Sequence, residues 1–404
     1  MTSPARSGLR VTLLLAANAF AMGCIFASTV NYGSIVAIEA LGLPNAAYSL
    51  ILSVSSLVGA AAALALGYLS DRMPDRRLLV IGCALTGAVG LGLILLFRTQ
   101  LAFIAAMCVL LPFGMAVFSQ SFAYARAYYN REAPARAEFM NSVMRTIFAV
   151  AWTVLPPIVG WVAVSNGVFS VYGIAIAAYL ASAAIFTLIL MTPEGRVAGA
   201  PKAADGRSTA PAAAIDPAIM VGIGGLFLIM MATQITMVST PLLVTITLGG
   251  SYADLGLYAG LAAGVELPFM LLWGYLLRWV PKYAIIAAAA LLYGLYLYFL
   301  SRAGSVTEIL WLQLLNGPAT AALVSIPISY MQDAIRNRVG LSTSLLDVTR
   351  VAAVIASAGL FGLLTSASPD YPLMFVVAAG LAAGGAVILV AAHLFVGARP
   401  ATAR

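Results

Sequence analysis

The stretch GYLSDRMPDRR, from Gly67 to Arg77, joins two apolar runs and carries five charged residues. A related stretch, GYLLRWVPKY, begins at Gly274, which is 207 positions later. The segments NSVMR and LDVTR, which end at Arg145 and Arg350, repeat at an offset of 205. Two matches at nearly the same offset indicate that the chain contains two parallel repeats of one helical unit.

The chain around these repeats is strongly apolar. Of its 404 residues, 62 % are hydrophobic and 9 % are charged, and the mean hydropathy is +1.01. Soluble chains carry roughly 25 % charged residues, so this composition excludes a cytosolic enzyme and a disordered chain. Three cysteines in apolar runs and a single histidine, His393, cannot build a disulfide framework or a paired-thiol metal site. We therefore expect no metal and no cofactor.

Apolar runs of about 20 residues are long enough to cross the hydrocarbon core, and helices satisfy their own backbone hydrogen bonds there. The sequence thus predicts an all-α polytopic membrane protein. The first run is too long for a cleaved signal peptide. Twelve spans are expected, at approximately 11–38, 46–70, 78–97, 101–125, 141–164, 168–191, 217–247, 252–277, 283–301, 306–331, 341–364 and 370–396.

The lysines and arginines indicate the orientation of these spans. With the N-terminus inside, 17 of the 21 fall in cytoplasmic segments, and only Arg98 and Arg302 lie on the opposite side. Arg145 and Arg350 lie about one helical turn inside the fifth and eleventh spans. This asymmetry predicts that both termini are cytoplasmic. A nucleic-acid partner has no support, because the basic residues are scattered over seven short segments.

One long polar interval divides the spans into two groups of six. It occupies residues 192–216, reads TPEGRVAGAPKAADGRSTAPAAAID, and is rich in Pro, Ala and Gly. Such a composition is typical of a flexible linker. We therefore expect one six-helix bundle at 1–191 and a second at 217–404.

The stretch at Gly67 resembles the G-x-x-x-D-R-x-G-R-R motif between helices 2 and 3 of the major facilitator superfamily. Asp75 replaces the second glycine of the motif. The resemblance implies two six-helix bundles, with Gly67 at a close helix contact and Asp71 paired to arginines of a neighbouring helix as a latch. The alternative is a basic loop that only sets the topology. Five positions match: Gly67, Asp71, Arg72, Arg76 and Arg77.

Three further segments are similar to the bacterial sugar efflux transporters of this superfamily. They are FAYARAYYNREAPARAEFMNSVMR from Phe122, AAGVELPFMLLWGYLLRWVPK from Ala262, and LQLLNG with YMQDAIRNRVG from Leu312. The resemblance implies export of small sugars or glycosides, such as lactose-like disaccharides and thiogalactosides, across the bacterial inner membrane against an inward flow of protons.

The segment AWTVLPPIVGW, which begins at Ala151, resembles the antiporter motif G-x-x-x-G-P-x-x-G-G. Ala151 and Leu155 stand where the motif has glycines, so the direction of transport stays open. Three positions match: Pro156, Pro157 and Gly160.

A few charged residues lie inside the spans, where each costs about 2.5–3.5 kcal/mol to insert. Glu266 lies near the middle of the eighth span, with no other charge between Asp254 and Arg278. A carboxylate there suits a proton carrier that also accepts sugar hydroxyls; the alternative is a permanently neutral structural acid. Asp347 and Arg350 are three residues apart and share a helix face. We expect a second proton site, a gate or a structural ion pair.

Gate residues are expected at the cytoplasmic ends of the spans. Asp333 and Arg126 close the tenth and fourth spans at equivalent positions, and Arg145 corresponds to Arg350. We expect Asp333 and Arg126 to join a network with Asp71 and Arg72.

Sugars are bound by polar side chains and by flat aromatic faces. The candidates are polar or aromatic residues near the middle of a span, and the alternative for each is a hydrogen bond between helices. Helices 1, 4, 7 and 10 line the cavity in this superfamily, which favours several of them. The candidates are Asn18, Tyr32, Gln120, Trp152, Gln234, Glu266, Trp273, Gln313 and Asn316.

The sequence therefore predicts a transporter that works by alternating access, as a monomer, with sugar and protons as its small partners. A multidrug/proton antiporter of the same fold is the main alternative, and an importing symporter also stays open. The chain lacks the G-x-x-x-x-G-K-[ST] motif of ATP-driven pumps. A membrane-embedded enzyme would need clustered acids, histidines or metal ligands, which the sequence lacks.

Overall fold

The computed structural model describes residues 4–197, 217–334 and 339–397, and its regular elements in these ranges are all helical. The long helices, numbered in chain order, are α1 Pro4–Thr29, α2 Asn45–Arg72, α3 Arg76–Phe97, α4 Gln100–Glu132, α5 Ala137–Asn166, α6 Ser170–Leu190, α7 Pro217–Leu242, α8 Tyr252–Leu276, α9 Lys282–Leu300, α10 Gln313–Ala334, α11 Val339–Thr365 and α12 Tyr371–Gly397.

Eleven of these helices are long and apolar enough to cross a membrane within the described ranges. The tenth predicted span forms α10 together with a short preceding helix, Val306–Trp311. It falls outside the eleven because polar residues such as Gln313 and Asn316 interrupt its apolar run. The prediction of an all-α membrane protein is confirmed.

Prolines shape two of the helices. A π-helical turn at Ala106–Leu110 interrupts α4 just before Pro112, and α7 continues into a π-helical turn at Leu243–Thr247 just after Pro241. Proline has no amide hydrogen, and its ring crowds the carbonyl four residues earlier, so Pro112 removes a regular hydrogen bond at Cys108, inside the π-helical turn of α4.

Contacts divide the described chain into two units. Unit 1 comprises 4–43 and 54–197, and unit 2 comprises 44–53, 217–334 and 339–397. The first turns of α2 therefore cluster with unit 2, where Asn45 Nδ2 donates to Thr365 O at 3.3 Å. Most of the expected linker, 198–216, lies outside the described residues, so the bundle boundaries at 191 and 217 stay a prediction.

Unit 1 is packed through close contacts at glycines. A Cβ added to Gly23 of α1 would lie 2.5 Å from Ala151 Cβ and 2.6 Å from Phe148 O, both on α5. Next to this contact, Ser182 Oγ of α6 donates a 2.6 Å hydrogen bond to Asn18 Oδ1 of α1. Ala151 stands where the antiporter motif has glycine. Its side chain packs into the space that the missing side chain of Gly23 leaves on α1, and we call this space the Gly23 notch.

Unit 2 uses a glycine pair at the equivalent place. A Cβ on Gly225 of α7 would lie 2.7 Å from Gly385 O of α12, and one on Gly385 would lie 2.6 Å from Gly225 O. Gly225 follows Asn18 by 207 positions, and Gly385 follows Ser182 by 203. The first and last helices of each repeat therefore meet at similar positions along the sequence, through a hydrogen bond in unit 1 and through direct backbone contact in unit 2.

The Gly23 notch yields the first prediction. Gly23→Val is expected to destabilise the protein by about 1–3 kcal/mol, because overpacking forces backbone shifts. Gly59→Val on α2 is the matched control, since a Cβ there meets no atom of the described residues within 4 Å. Thermal unfolding in detergent should show a lower midpoint for Gly23→Val alone. Equal midpoints for the two variants would contradict the tight contact.

Candidate functional site

Helices α8 and α10 cross at very short range inside unit 2. A Cβ on Gly317 of α10 would lie 2.8 Å from Val265 Cβ and 3.1 Å from the Val265 carbonyl carbon on α8. Only glycine permits this approach. Glu266 directly follows Val265, and Asn316 directly precedes Gly317, so the crossing places these two polar residues on adjoining stretches of backbone.

A second contact fixes the same crossing. Trp273 Nε1, two turns beyond Glu266 on α8, donates a 2.8 Å hydrogen bond to Pro318 O on α10. The polar edge of the indole is therefore used for helix packing. The ring itself is half-buried, and its role as a stacking surface stays a prediction.

Glu266 is half-buried, and it forms no hydrogen bond and no ion pair with any residue in the described part of the chain. A structural acid inside a helix bundle is normally paired or hydrogen-bonded, because burying an unsatisfied carboxyl group is costly. An acid without a protein partner has its oxygens available for a proton or for the hydroxyl groups of a ligand.

Gln313 and Asn316 form a chain of hydrogen bonds on α10. Gln313 Nε2 donates to Ile309 O at 2.8 Å, and Gln313 Oε1 accepts from Asn316 Nδ2 at 2.7 Å. A backbone carbonyl can only accept, so it fixes the amide orientation of Gln313 and hence that of Asn316. Gln313 is fully buried and acts as a support, while Asn316 Oδ1 is left as an acceptor.

Two tyrosines that sequence reasoning missed lie behind this chain. The hydroxyl groups of Tyr258 on α8 and Tyr296 on α9 are 3.0 Å apart, and Tyr296 also hydrogen-bonds to Gln313. Both rings are buried. In the sequence, Tyr293 and Tyr296 are three residues apart, which places them on one face of α9. This spacing is the sequence feature that points to Tyr296.

The remaining candidates are more dispersed. Gln234 of α7 is half-buried in unit 2, and Trp152 of α5 is half-buried beside the Gly23 notch in unit 1. Gln120 and Tyr32 are buried in unit 1. Asn18 is 1 % exposed and forms a hydrogen bond with Ser182. Its side chain therefore joins two helices, which is the alternative to sugar binding given for each candidate. Four of the candidates, Glu266, Trp273, Gln313 and Asn316, thus lie on the two helices that cross in unit 2.

The stretch predicted as a latch connects the start of α3 to the end of α6 within unit 1. We call the basic residue that makes this connection, with its acidic partner, a staple. Asp75 caps α3 by accepting from Arg77 N at 3.0 Å, and its Oδ2 pairs with Arg77 Nη2 at 2.6 Å. Arg77 Nη1 also donates to Ile189 O at 2.8 Å and Thr192 O at 3.1 Å, at the end of α6. Asp75, which replaces the second glycine of the motif, supplies the acid.

The same region holds the segment after α6. Tyr124 of α4 donates to Gly195 O, and Arg131 donates to Arg196 O. Val197 is buried. The beginning of the expected linker is therefore fixed to α3, α4 and α6 as far as residue 197.

The other residues expected in the latch have varied surroundings. A Cβ on Gly67 would meet no described atom within 4 Å, so the described residues make no close helix contact there. The side chain of Asp71 lies outside the described residues. Arg72 is exposed, with its guanidinium 3.9 Å from the centre of the Tyr68 ring. Arg76 is half-buried at the first position of α3.

The expected gate residues have varied surroundings. Arg126 and Arg145 are exposed, and Arg145 lies over the ring of Phe122 at 5.4 Å. Asp347 and Arg350 are also exposed, and no ion pair joins them in the described part of α11. A separation of three residues permits such a pair but stabilises it by only about 0.2–0.5 kcal/mol.

Asp333 has a partner that the sequence did not suggest. Its Oδ2 is 2.6 Å from Lys282 Nζ at the start of α9, and Lys282 also donates to Ser329 O at 3.2 Å. Lys282 follows Arg77 by 205 positions. Each repeat therefore uses a basic residue at the start of its third helix as a staple. The network with Arg126, Asp71 and Arg72 stays a prediction.

The staple in unit 1 yields a pH-dependent prediction. Burial disfavours the charged form of Asp75, but the hydrogen bonds and charge of Arg77 outweigh it, and the pKa of Asp75 lies below its ordinary value. The ion pair therefore stabilises the fold above about pH 4, and this stabilisation is lost as the pH falls through the lowered pKa.

Asp75→Asn should cost about 3 kcal/mol at pH 7, because it leaves the buried Arg77 without its acid. The difference from the original protein should shrink as the pH falls below about 4. Asp370→Asn is the control, since Asp370 is exposed and only caps α12. Thermal unfolding at several pH values tests this, and a pH-independent difference would refute the ion-pair explanation.

Comparison with known proteins places this geometry in a family. The sequence model of a protein family, the Major Facilitator Superfamily, matches residues 13–350 of this chain. Sugar efflux transporter A of Dickeya chrysanthemi is 28 % identical over 337 residues, which cover 83 % of this chain and 84 % of that protein. A putative sugar efflux transporter of Deinococcus radiodurans is 27 % identical over 389 residues, which cover 95 % and 97 %.

Solved structures show the same fold. The nucleoside transporter NupG superposes with a TM-score of 0.76 at 15 % identity, covering 95 % of this chain and 99 % of that one. The POT family transporter PepTSo superposes with a TM-score of 0.77 at 10 % identity, covering 97 % and 99 %. The relatives and neighbours are membrane transporters and not enzymes. The chain therefore belongs to the Major Facilitator Superfamily, as its loop motif and repeats predicted.

Proposed function

We propose that this protein exports small sugars or glycosides, such as lactose-like disaccharides and thiogalactosides, in exchange for protons. The family and the names of the relatives in Dickeya and Deinococcus support sugar efflux. The observation that carries the proposal is the α8–α10 crossing at Val265 and Gly317. Glu266 follows Val265 and has no partner among the described residues, and Asn316, whose amide orientation is fixed, precedes Gly317.

The proposed cycle uses Glu266 for both ligands. When the site opens to the cytoplasm, the carboxyl group releases its proton, and the carboxylate accepts hydrogen bonds from sugar hydroxyls. Asn316 Oδ1 adds a second acceptor, and the half-buried face of Trp273 covers the apolar side of the sugar ring. When the site opens outward, a proton binds Glu266, weakens it as an acceptor and favours sugar release.

The setting of this cycle is the bacterial inner membrane, with both termini in the cytoplasm and the protein working as a monomer. The asymmetry of Lys and Arg supports this orientation. A multidrug/proton antiporter is the alternative, because a carboxylate with no basic partner among the described residues would also attract a lipophilic cation.

Glu266→Gln tests the role of the carboxylate. The variant keeps the size and polarity of the side chain but cannot release a proton. We expect lactose efflux driven by a pH gradient to fall to background in proteoliposomes, while exchange of lactose for lactose continues. Glu308→Gln is the matched control, because Glu308 is exposed and only caps a short helix.

Gradient-driven efflux at the rate of the Glu308→Gln control would refute the proton assignment to Glu266. Movement of a lipophilic cation in place of lactose, still dependent on Glu266, would instead favour the drug-antiporter alternative.

The amide chain yields a further prediction. If Gln313 acts only by orienting Asn316, Gln313→Leu should raise the KM for lactose exchange by about tenfold, equivalent to about 1.4 kcal/mol for a lost hydrogen bond. Asn316→Leu should have a similar or larger effect. The double variant should be no worse than Asn316→Leu, because residues that act through one another are not additive. Additive effects on KM would contradict this arrangement.

A further inference from the structure

Unit 2 contains a cavity of about 410 Å³ at the end where α8 joins α9, away from the α8–α10 crossing. Small-molecule sites typically enclose about 300–1,000 Å³ and combine apolar walls with a few polar groups. The size of this cavity suits a ligand no larger than a disaccharide. Its principal lining residues are Val280, Lys282, Tyr283, Tyr330, Asp333 and His393.

Among the described residues that line the cavity, the charges balance each other. Lys282 Nζ is 2.6 Å from Asp333 Oδ2, and these are the formally charged groups among the described lining residues. A charged ligand of either sign would meet one repelling group beside the attracting one. Both groups retain further hydrogen-bonding capacity, since an ammonium has three donors and a carboxylate has about four acceptor positions. Hydroxyl groups can use this capacity without breaking the pair.

Aromatic rings form another wall. The rings of Tyr283 and His393 are stacked with centroids 4.0 Å apart and an interplanar angle of 11°. The Tyr330 ring lies 5.6 Å from His393 at 49°. Flat rings provide rigid faces for the C–H surface of a sugar, and the tyrosine hydroxyls add hydrogen-bonding groups.

We propose that this cavity is a second binding site, for a small uncharged sugar, separate from the site at Glu266. Its walls combine a neutralised ion pair, hydroxyl groups and aromatic faces, which suits a polyol and gives no advantage to an ion. In the proposed orientation the cavity lies at the cytoplasmic end, where a sugar awaiting export would reach it. This site goes beyond the proposed export cycle, which does not use it.

Cysteine protection tests the site directly. The three native cysteines are replaced by alanine, and Val280→Cys, which lines the cavity, is compared with Trp279→Cys, which is exposed beside it. The rate of maleimide labelling is measured in purified full-length protein with lactose and, separately, with glucose 6-phosphate. We expect lactose to slow labelling of Val280→Cys severalfold, with little effect on Trp279→Cys and little protection by glucose 6-phosphate.

Second substitutions separate this site from the export site. Tyr283→Leu, or Asp333→Asn if that variant fails to fold, should abolish the lactose protection, whereas Glu266→Gln should retain it. Equal labelling with and without lactose, or stronger protection by the phosphate ester, would overturn the proposal. Protection that is lost with Glu266→Gln but kept with Tyr283→Leu would overturn it as well, and would leave the export proposal standing.

Discussion

Close approach of helices at glycine is the constraint on which this structure depends. Lipid tails are as apolar as the side chains that face them, so helices in a membrane associate through tight packing and hydrogen bonds. Gly23 against Ala151, Gly225 against Gly385 and Gly317 against Val265 supply that packing. The last contact also sets the candidate site, because it brings the backbones beside Glu266 and Asn316 together.

The two repeats solve the same packing problem with different chemistry. Unit 1 joins its first and last helices through Ser182 and Asn18, and unit 2 does so through Gly225 and Gly385. The third helix of each repeat begins with a basic staple, Arg77 in unit 1 and Lys282 in unit 2. The offset of about 205 positions marks equivalent places, while the partners at those places have diverged.

Much of this could be predicted from the sequence. Hydropathy and loop charges predict the helices, and the isolation of Glu266 in a long apolar run identifies it as a candidate. Partners were harder to predict, because they come from distant helices. Nothing near Gln313 in the sequence shows that Tyr296 lies behind it, and nothing near Asn18 shows Ser182. A motif match placed Asp71 in the latch, while the observed ion pair of Arg77 uses Asp75.

The central claim is that sugar export and proton entry are coupled in this chain. Its most direct test is the loss of radiolabelled lactose from preloaded proteoliposomes of the unmodified protein, with and without an imposed proton gradient. The account predicts that an inwardly directed proton gradient accelerates lactose loss, because protons enter the vesicle as lactose leaves it. Lactose loss at the same rate with and without the gradient, or no lactose flux at all, would contradict it.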